Sequence, residues 1–341
     1  MKEMSKKNKI SPIPYLILAP MAGITDLPFR LVCKEFGADM VYSEMISAVG
    51  LFYNSKKTET LLQTLPEEQP INFQLFGAQP EHFAKAAKII TDRSCLLNKK
   101  INQEKTKTNS LSTRQLLNQK TSLDINFGCP VKKVLKQGAG CKLMENLNLS
   151  RKIIEAVTQN TSLPVSLKIR AGIGKIDAMK FLENVSDLPW KTVMVHGRTF
   201  AQGFSGPIDL ALIKKIKVAF PKKIIIANGN IYSPENAKET LEKTKADGIA
   251  LATGTLGRPW LFRQIKEYLN TGKYTTPNKE EIKRFVIHHT NYHKKIKGDN
   301  FIEFRKHLGW YFKGLSGAKK IRSKLVKVER YEEIMQIIKT V

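Results

Sequence analysis

Short apolar runs alternate with helix-like segments along most of the chain. Each run is a few residues long and is bounded by polar, glycine or proline residues, which is typical of buried strands. Strands that alternate with helices predict repeated β/α units and a parallel sheet. The predicted strands cover residues 15–19, 40–42, 71–75, 123–127, 165–169, 192–195, 223–227 and 248–251. Eight strands close a (β/α)8 TIM barrel, and this α/β fold is the one that we predict.

Several segments between the runs carry residues that begin and end helices. Thr25-Asp26-Leu27-Pro28 offers an N-cap and a first-turn proline, and Gly37 offers a stop. Ser233-Pro234-Glu235 repeats the same order of cap, proline and acid. Pro80-Glu81 begins another predicted helix. These signals agree with helices that connect parallel strands.

Residues 98–120 are rich in Lys, Asn, Gln and Thr and exceed what a helix-to-strand connection needs. We predict an insertion here, with a mobile excursion or a short helix at 110–118. Because it follows a helix and precedes a strand, it should project from the face of the barrel opposite the active site. No catalytic role is expected for it.

After Gly272 the pattern changes to helices without strands, predicted at 280–297, 300–315 and 331–338. We therefore predict a barrel over residues 1–274 and an all-helical domain over 275–341. Basic residues in this domain, including Arg305 and Lys306, stand beside aromatic ones such as Trp310 and Tyr311. Two interpretations fit: a solvated basic surface over an aromatic core, or a nucleic-acid platform.

The chain has 341 residues and a net charge of +27. Such an excess favours polyanionic partners, although a compositional drift towards Lys, Asn and Ile also explains it. The four cysteines show no CxxC spacing, so neither a zinc site nor a disulfide framework is predicted. No stretch approaches the ~20 apolar residues of a spanning helix, and prolines interrupt the basic N-terminus. We expect a cytoplasmic protein with no metal and no membrane partner.

Polar and glycine residues end nearly every predicted strand. Taken singly, Cys129 reads as a buried small residue or a reactive thiol, Lys168 as a strand-end cation, and His196 as a core histidine. In a barrel, however, the carboxyl ends of the strands converge on one mouth. The residues brought together there are Pro20, Met21, Ala22, Gln74, Asn126, Cys129, Lys168, Arg170, His196, Arg198, Asn228, Gly229, Asn230, Ala252 and Thr253.

This set of side chains suits a flavin. Small residues after the first strand let the backbone approach a flat ring, and Gln74 can hydrogen-bond its pyrimidine edge. A cation such as Lys168 would stabilise the anion formed on two-electron reduction. Glycine-bearing loops after the seventh and eighth strands match the usual phosphate site of barrels, which points to FMN.

An ordered set of motifs resembles the tRNA-dihydrouridine synthases, most closely their bacterial B-type branch. The motifs keep their order and spacing across most of the chain. They are Leu18-Ala19-Pro20-Met21-Ala22-Gly23-Ile24-Thr25-Asp26, Ser43-Glu44-Met45, Gln74-Leu75-Phe76-Gly77, Asp124-Ile125-Asn126-Phe127-Gly128-Cys129-Pro130, Leu167-Lys168-Ile169-Arg170, His196-Gly197-Arg198-Thr199, Ala227-Asn228-Gly229-Asn230-Ile231 and Gly257-Arg258-Pro259-Trp260.

The resemblance implies a barrel that holds FMN, is reduced by NADPH or NADH, and passes hydride to the C5–C6 double bond of a uracil in tRNA. Cys129 would be the general acid at C5, and Asn126 would orient the base. Lys168 and His196 would hold the flavin. The RNA contacts implied are Arg170, Arg198 and, in the helical domain, Arg305 and Lys306.

Two positions depart from the family pattern. Ala252-Thr253 stands where the family usually has Gly-Arg, so backbone N–H groups are expected to bind the phosphate. Asn230 stands where the family tends to have Asp. Two other functions fit parts of the sequence: an FMN barrel acting on a small molecule, of the dihydroorotate dehydrogenase or ene-reductase type, and a non-catalytic RNA-binding relic.

Overall fold

Eight parallel strands close into a barrel in the computed structural model, which describes residues 14–105, 121–315 and 317–340. Each strand pairs with the next along the chain, and pairing of β1 with β9 completes the ring. The predicted TIM barrel is confirmed. Its strands are β1 (Tyr15–Leu18), β2 (Met40–Ser47), β3 (Ile71–Phe76), β4 (Ser122–Phe127), β5 (Val165–Ile173), β7 (Thr192–Thr199), β8 (Ile224–Asn228) and β9 (Gly248–Leu251).

Three barrel strands, β2, β5 and β7, run four or five residues further than predicted. The sequence prediction ended them where polar residues begin, yet β5 and β7 stay paired there, with Arg170 opposite His196. The polar side chains of this stretch line the mouth of the barrel while the backbone continues the ladder. β5 then folds back on a two-residue antiparallel strand, β6 (Ile176–Asp177), which the sequence did not predict.

The helix signals read from the sequence are confirmed. Asp26 caps α1 (Leu27–Glu35) by accepting from the Phe29 N–H at 3.2 Å, and Ser233 caps α9 (Pro234–Thr244). Helix α4 (Pro80–Lys105) continues into the predicted insertion, while the predicted helix at 110–118 lies outside the described residues. The other barrel helices are α2 (Ala48–Phe52), α3 (Lys56–Glu59), α5 (Lys132–Leu135), α6 (Leu147–Gln159), α7 (Ala178–Asn184), α8 (Leu210–Ala219) and α10 (Leu261–Thr271).

The C-terminal region is helical as predicted, but the prediction of its second helix was wrong. A single helix over 300–315 is replaced by the shorter α12 (Arg305–Tyr311), because Asn300 Oδ1 accepts from the Ile302 N–H in a turn and Gly314 has a φ of +87°. Helix α13 (Ala318–Leu325) was not predicted. Helices α11 (Lys279–Lys297) and α14 (Tyr331–Lys339) lie close to their predicted positions.

A hydrophobic core that we call the shared core joins the barrel to the C-terminal helices. Phe36 and Trp260 from the barrel half contact Phe285 of α11, with ring centroids 4.8 and 5.6 Å away. Trp260 also contacts Tyr311 of α12 at 6.2 Å. Gly257 lies so close to α12 that an added Cβ would collide with the Trp310 carbonyl. The helical region therefore packs directly on the barrel.

Candidate active site at the barrel mouth

A cavity of about 390 Å³ opens at the carboxyl ends of the strands, a size within the range of small-molecule sites. Convergence of the strand ends, which the sequence predicts, is confirmed. The barrel residues predicted for the site all line this cavity: Pro20, Met21, Ala22, Gln74, Asn126, Cys129, Lys168, Arg170, His196, Arg198, Asn228, Gly229, Asn230, Ala252 and Thr253.

Cys129 lies on a tightly held turn after β4. The side-chain oxygen of Asn126 accepts from the Gly128 and Cys129 N–H groups at 3.1 and 2.9 Å. On the other side, the Cys129 carbonyl accepts from the Cys141 N–H at 3.1 Å. Burial raises the pKa of the Cys129 thiol. The side chain is therefore a positioned, protonated thiol at neutral pH.

Two amides connect this turn to a buried carboxylate in what we call the amide relay: Asp124, Gln74 and Asn126. Gln74 Nε2 donates to Asp124 Oδ2 at 2.7 Å, and Asn126 Nδ2 donates to Gln74 Oε1 at 2.9 Å. The carboxylate is an acceptor at one end, and the N–H groups of the turn are donors at the other. Both amide orientations are therefore fixed. Burial raises the pKa of Asp124 to about 7.

Cationic side chains and a neutral imidazole form another wall of the cavity. Burial, reinforced by Arg170, lowers the pKa of Lys168 to about 8, so its amine stays mostly protonated at neutral pH. Burial and the neighbouring cations Lys168, Arg170 and Arg198 lower the pKa of His196 to about 2. This wall offers hydrogen-bond donors and positive charge to an electron-rich ligand.

Arg170 is only 1% exposed and holds two loops together. Its guanidinium donates to the Gly128 carbonyl beside Cys129 at 2.9 Å, and to the carbonyls of Thr199 and Gly203 at 3.0 and 2.8 Å. The last two belong to residues 199–206, which we call the β7 loop. The sequence assigned Arg170 to RNA, whereas its hydrogen bonds in the structure go to the protein backbone.

Arg198 is also buried and hydrogen-bonded within the protein. Its guanidinium donates twice to the Gly206 carbonyl, at 3.0 and 2.7 Å, and once to Asn230 Oδ1 at 2.7 Å. Asn230 has a φ of +53°, a left-handed conformation that Asn adopts more readily than most residues. Arg198 thus links the β7 loop to the turn after β8.

The turns after β8 and β9 approach each other closely. A Cβ added at Gly254 would collide with the Ile231 carbonyl, so only glycine allows this approach. Among the described residues, no acceptor is hydrogen-bonded to the backbone N–H groups of Asn230, Thr253 or Gly254. Unpaired N–H groups on adjacent turns suit an anion such as a phosphate.

The two basic residues predicted from the helical region have different surroundings. Arg305 donates to the carbonyls of Val328 and Lys327 and to the Glu329 carboxylate, so it stabilises the region internally. The Lys306 amine lies 3.4 Å from where a Cβ on Gly23 would stand, beside the turn after β1. Lys306 is therefore at the barrel mouth, next to a groove lined also by Trp310 and Arg322.

Three of the residues that sequence reasoning missed are important for the site. Asp124 was quoted in a motif without a role, and only the structure shows that it faces Gln74. Phe204 and Tyr232 line the cavity although they follow strand ends by several residues. For Phe204 a signal was present, because an aromatic residue in Gly203-Phe204-Ser205-Gly206 is unusual in a turn.

The described ranges contain no group of three or more His, Cys, Asp or Glu side chains arranged to hold a metal ion. Within the same ranges, no helix has both the length and the apolar character required to cross a bilayer.

A closed barrel with a thiol and buried cations at the carboxyl ends of its strands defines an enzyme of the (β/α)8-barrel class. The family model described as "Dihydrouridine synthase (Dus)" matches residues 17–98 and 111–340. The chain belongs to the dihydrouridine synthase family. The unmatched residues 99–110 fall within the predicted insertion.

Curated relatives cover nearly the whole chain. It is 33% identical to the tRNA-dihydrouridine synthase B of Pseudomonas putida over 92% of this chain and 87% of the relative. It is 35% identical to the probable tRNA-dihydrouridine synthase of Rickettsia bellii over 94% and 92%. A solved 6-hydroxypseudooxynicotine amine oxidase from Pseudomonas geniculata is similar in fold alone, with a TM-score of 0.50 and 12% identity over 76% of this chain and 48% of the other.

Proposed function

We propose that this protein reduces the C5–C6 double bond of specific uridines in tRNA, using FMN and a nicotinamide donor, NADPH or NADH, in the cytoplasm. The relatives' names supply the reaction and its substrate class. The observation that carries the proposal is the positioned thiol of Cys129 in a cavity walled by Lys168 and His196.

The residues of the cavity fit FMN. The N–H groups of the turns after β8 and β9 suit its phosphate without the arginine that the family usually places there. Gln74 and Lys168 present hydrogen-bond donors for the polar edge of the ring, and the neutral His196 can both donate and accept. When bound, FMN supplies the hydride chemistry.

Cys129 acts as the general acid that gives a proton to C5 of the uracil. Its raised pKa keeps the proton on Sγ at neutral pH, and Lys168 and Arg170 favour the thiolate that remains. Asn126 fixes the turn that carries this thiol. Asn126 Nδ2 donates to Gln74 Oε1 and, at 3.0 Å, to the sulfur of Met45, which is the weaker acceptor. For Asn126 to contact the base as well, its Nδ2 must give up the hydrogen bond to Met45.

The helical region, residues 275–341, carries the tRNA. The net charge of +27 favours a polyanion, and Lys306 provides a cation between the helical region and the barrel mouth. Beside it, the groove with Trp310 and Arg322 offers an aromatic ring and a further cation to RNA. The uridine must leave its stack to reach Cys129, since a stacked base is out of reach.

Incubation of the purified protein with FMN, NADPH and unmodified tRNA tests this function, with dihydrouridine measured by nucleoside mass spectrometry. We expect product, and we expect Cys129→Ala to slow its formation by ~10²-fold or more while FMN stays bound. Cys95→Ser is the matched control, because Cys95 is exposed on α4 and does not line the cavity.

Each negative outcome has its own meaning. A yellow, folded protein without product would indicate an FMN reductase of small molecules. A colourless protein that binds tRNA without product would indicate an RNA-binding relic. Equal turnover by wild type and Cys129→Ala would remove Cys129 from the mechanism.

A further inference from the structure

We propose that Phe204 stacks on a nucleobase that flanks the target uridine and so holds the RNA open at the barrel mouth. This inference rests on the proposed function, because it names a substrate contact of the same site. Phe204 belongs to the β7 loop and lines the cavity.

Phe204 is 73% exposed, although phenylalanine is ordinarily among the most buried residues. The loop that presents it is extensively hydrogen-bonded. Arg170 donates to the carbonyl of Gly203 at 2.8 Å and Arg198 to that of Gly206 at 2.7 Å, before and after Phe204 in the sequence. At the start of the loop, the Thr199 N–H donates to Gln202 Oε1 at 2.8 Å. The fold thus holds an apolar ring in solvent.

One face of the ring is already covered. The guanidinium carbon of Arg170 lies 5.4 Å from the ring centroid, within the range of a cation–π contact. Arg170 is itself buried and fixed by three backbone carbonyls, so it forms a firm support. The high exposure of Phe204 leaves its remaining surface open to a second flat group.

A nucleobase is the flat group that the reaction brings to this position. Extrusion of the target uridine breaks its stacking with its neighbours and leaves a neighbouring base with an uncovered face. Aromatic side chains commonly stack on such unstacked bases in RNA. Phe204 projects at the rim while the interior of the cavity holds the reacting groups, so the contact falls on a neighbour and not on the target.

Binding of unmodified tRNA to the flavin-loaded protein tests the contact through the Kd of three variants. Phe204→Leu keeps apolar bulk but removes the π face, and we expect tRNA affinity to fall about tenfold, as for loss of one stacked base. Phe204→Trp should bind within about twofold of wild type. Phe200→Leu is the matched control, since Phe200 is 37% exposed in the same loop but does not line the cavity, and we expect no change.

A substrate with a missing base identifies the contact. Once mass spectrometry locates the modified uridine, an abasic nucleotide is placed on each side of it in turn. We expect one abasic tRNA to bind wild type about tenfold more weakly, and Phe204→Leu to cause no further loss with that RNA. Fully multiplicative losses with both abasic RNAs would refute stacking on a flanking base.

Two other results would also overturn the inference. One is equal tRNA affinity for wild type and Phe204→Leu. The other is a raised KM for NADPH in Phe204→Leu without a change in tRNA affinity, which would assign the ring to nicotinamide. Because the Kd of the protein variants for unmodified tRNA is measured without turnover, that comparison does not depend on whether dihydrouridine forms, and failure of the proposed function is recognised separately.

Discussion

Gly140 packs against the backbone of the turn that carries Cys129, and its replacement by alanine tests how Cys129 is positioned. It has a φ of +66°, and an added Cβ would lie 2.6 Å from the Cys129 carbonyl oxygen and 3.1 Å from the Cys129 Cβ. Gly138, two residues earlier, has nearly the same φ of +70°, but its added Cβ would meet only Ala78 at an ordinary 3.7 Å. Gly140→Ala and Gly138→Ala therefore form a matched pair.

Both substitutions force a left-handed backbone on alanine, which costs about 1–2 kcal/mol. Only Gly140→Ala also overpacks a buried site, which adds about 1–3 kcal/mol. We therefore expect Gly138→Ala to lose about 1–2 kcal/mol of unfolding free energy and Gly140→Ala about 2–5 kcal/mol. If Cys129 moves to relieve the contact, a shift of ~1 Å lowers turnover by up to ~10²-fold.

Urea unfolding measures the stability difference, and dihydrouridine formation at saturating tRNA measures the catalytic one. FMN content, read from absorbance, shows whether the rest of the cavity stays intact. We expect Gly138→Ala to keep near wild-type turnover and Gly140→Ala to lose it with flavin still bound. Equal turnover by the two variants would refute the view that backbone contacts below Cys129 position the thiol.

Two predictions concern pH. Because burial raises the pKa of Cys129, its thiol should lose its proton only above the ordinary cysteine pKa of ~8.5, and the part of the single-turnover rate that depends on this proton should be lost only there; ionisation of the thiol beginning near pH 7 would contradict this. Burial lowers the pKa of His307 to about 4 despite Asp26 opposite it, so this histidine's contribution to stability is complete above pH ~6.5 and is lost as pH falls towards 4. The fall in the urea midpoint from pH 7.5 to pH 5.5 should accordingly be smaller in His307→Gln than in wild type, because Asp124 and the other buried histidines titrate in both proteins; an equal fall would contradict the assignment.

The barrel was predictable because each strand is apolar and is bounded by polar or glycine residues. Where polar side chains begin while the backbone ladder continues, as at Arg170 and His196, the same rule ended strands early. The helix predicted at 300–315 failed for a related reason. Its apolar spacing is helical, yet the Asn300 side chain and Gly314 favour turns, and local hydrogen bonds and backbone conformation decided the outcome.

The positions of the site residues followed from barrel topology, but their partners did not. Spacing along the chain does not show that Asp124 faces Gln74, or that the guanidinium of Arg170 turns back to the Gly128 carbonyl. These contacts join strands and loops far apart in sequence, and side-chain direction decides them. Phe204 was not predicted because only residues at the ends of strands were considered, and Phe204 lies five residues after the end of β7.

The shared core has a practical consequence for building hybrid enzymes. The sequence pattern changes at the start of α11, which makes that point the obvious junction for transplanting the helical region from one relative to another. The aromatic residues that the helical region packs against, however, include Phe36 and Trp260 of the barrel half, and Gly257 lies directly against the backbone of Trp310. A chimera joined at the start of α11 would pack the helices of one protein against barrel residues of the other. A junction ahead of Gly257 would transfer Gly257 and Trp260 together with the helices that they contact.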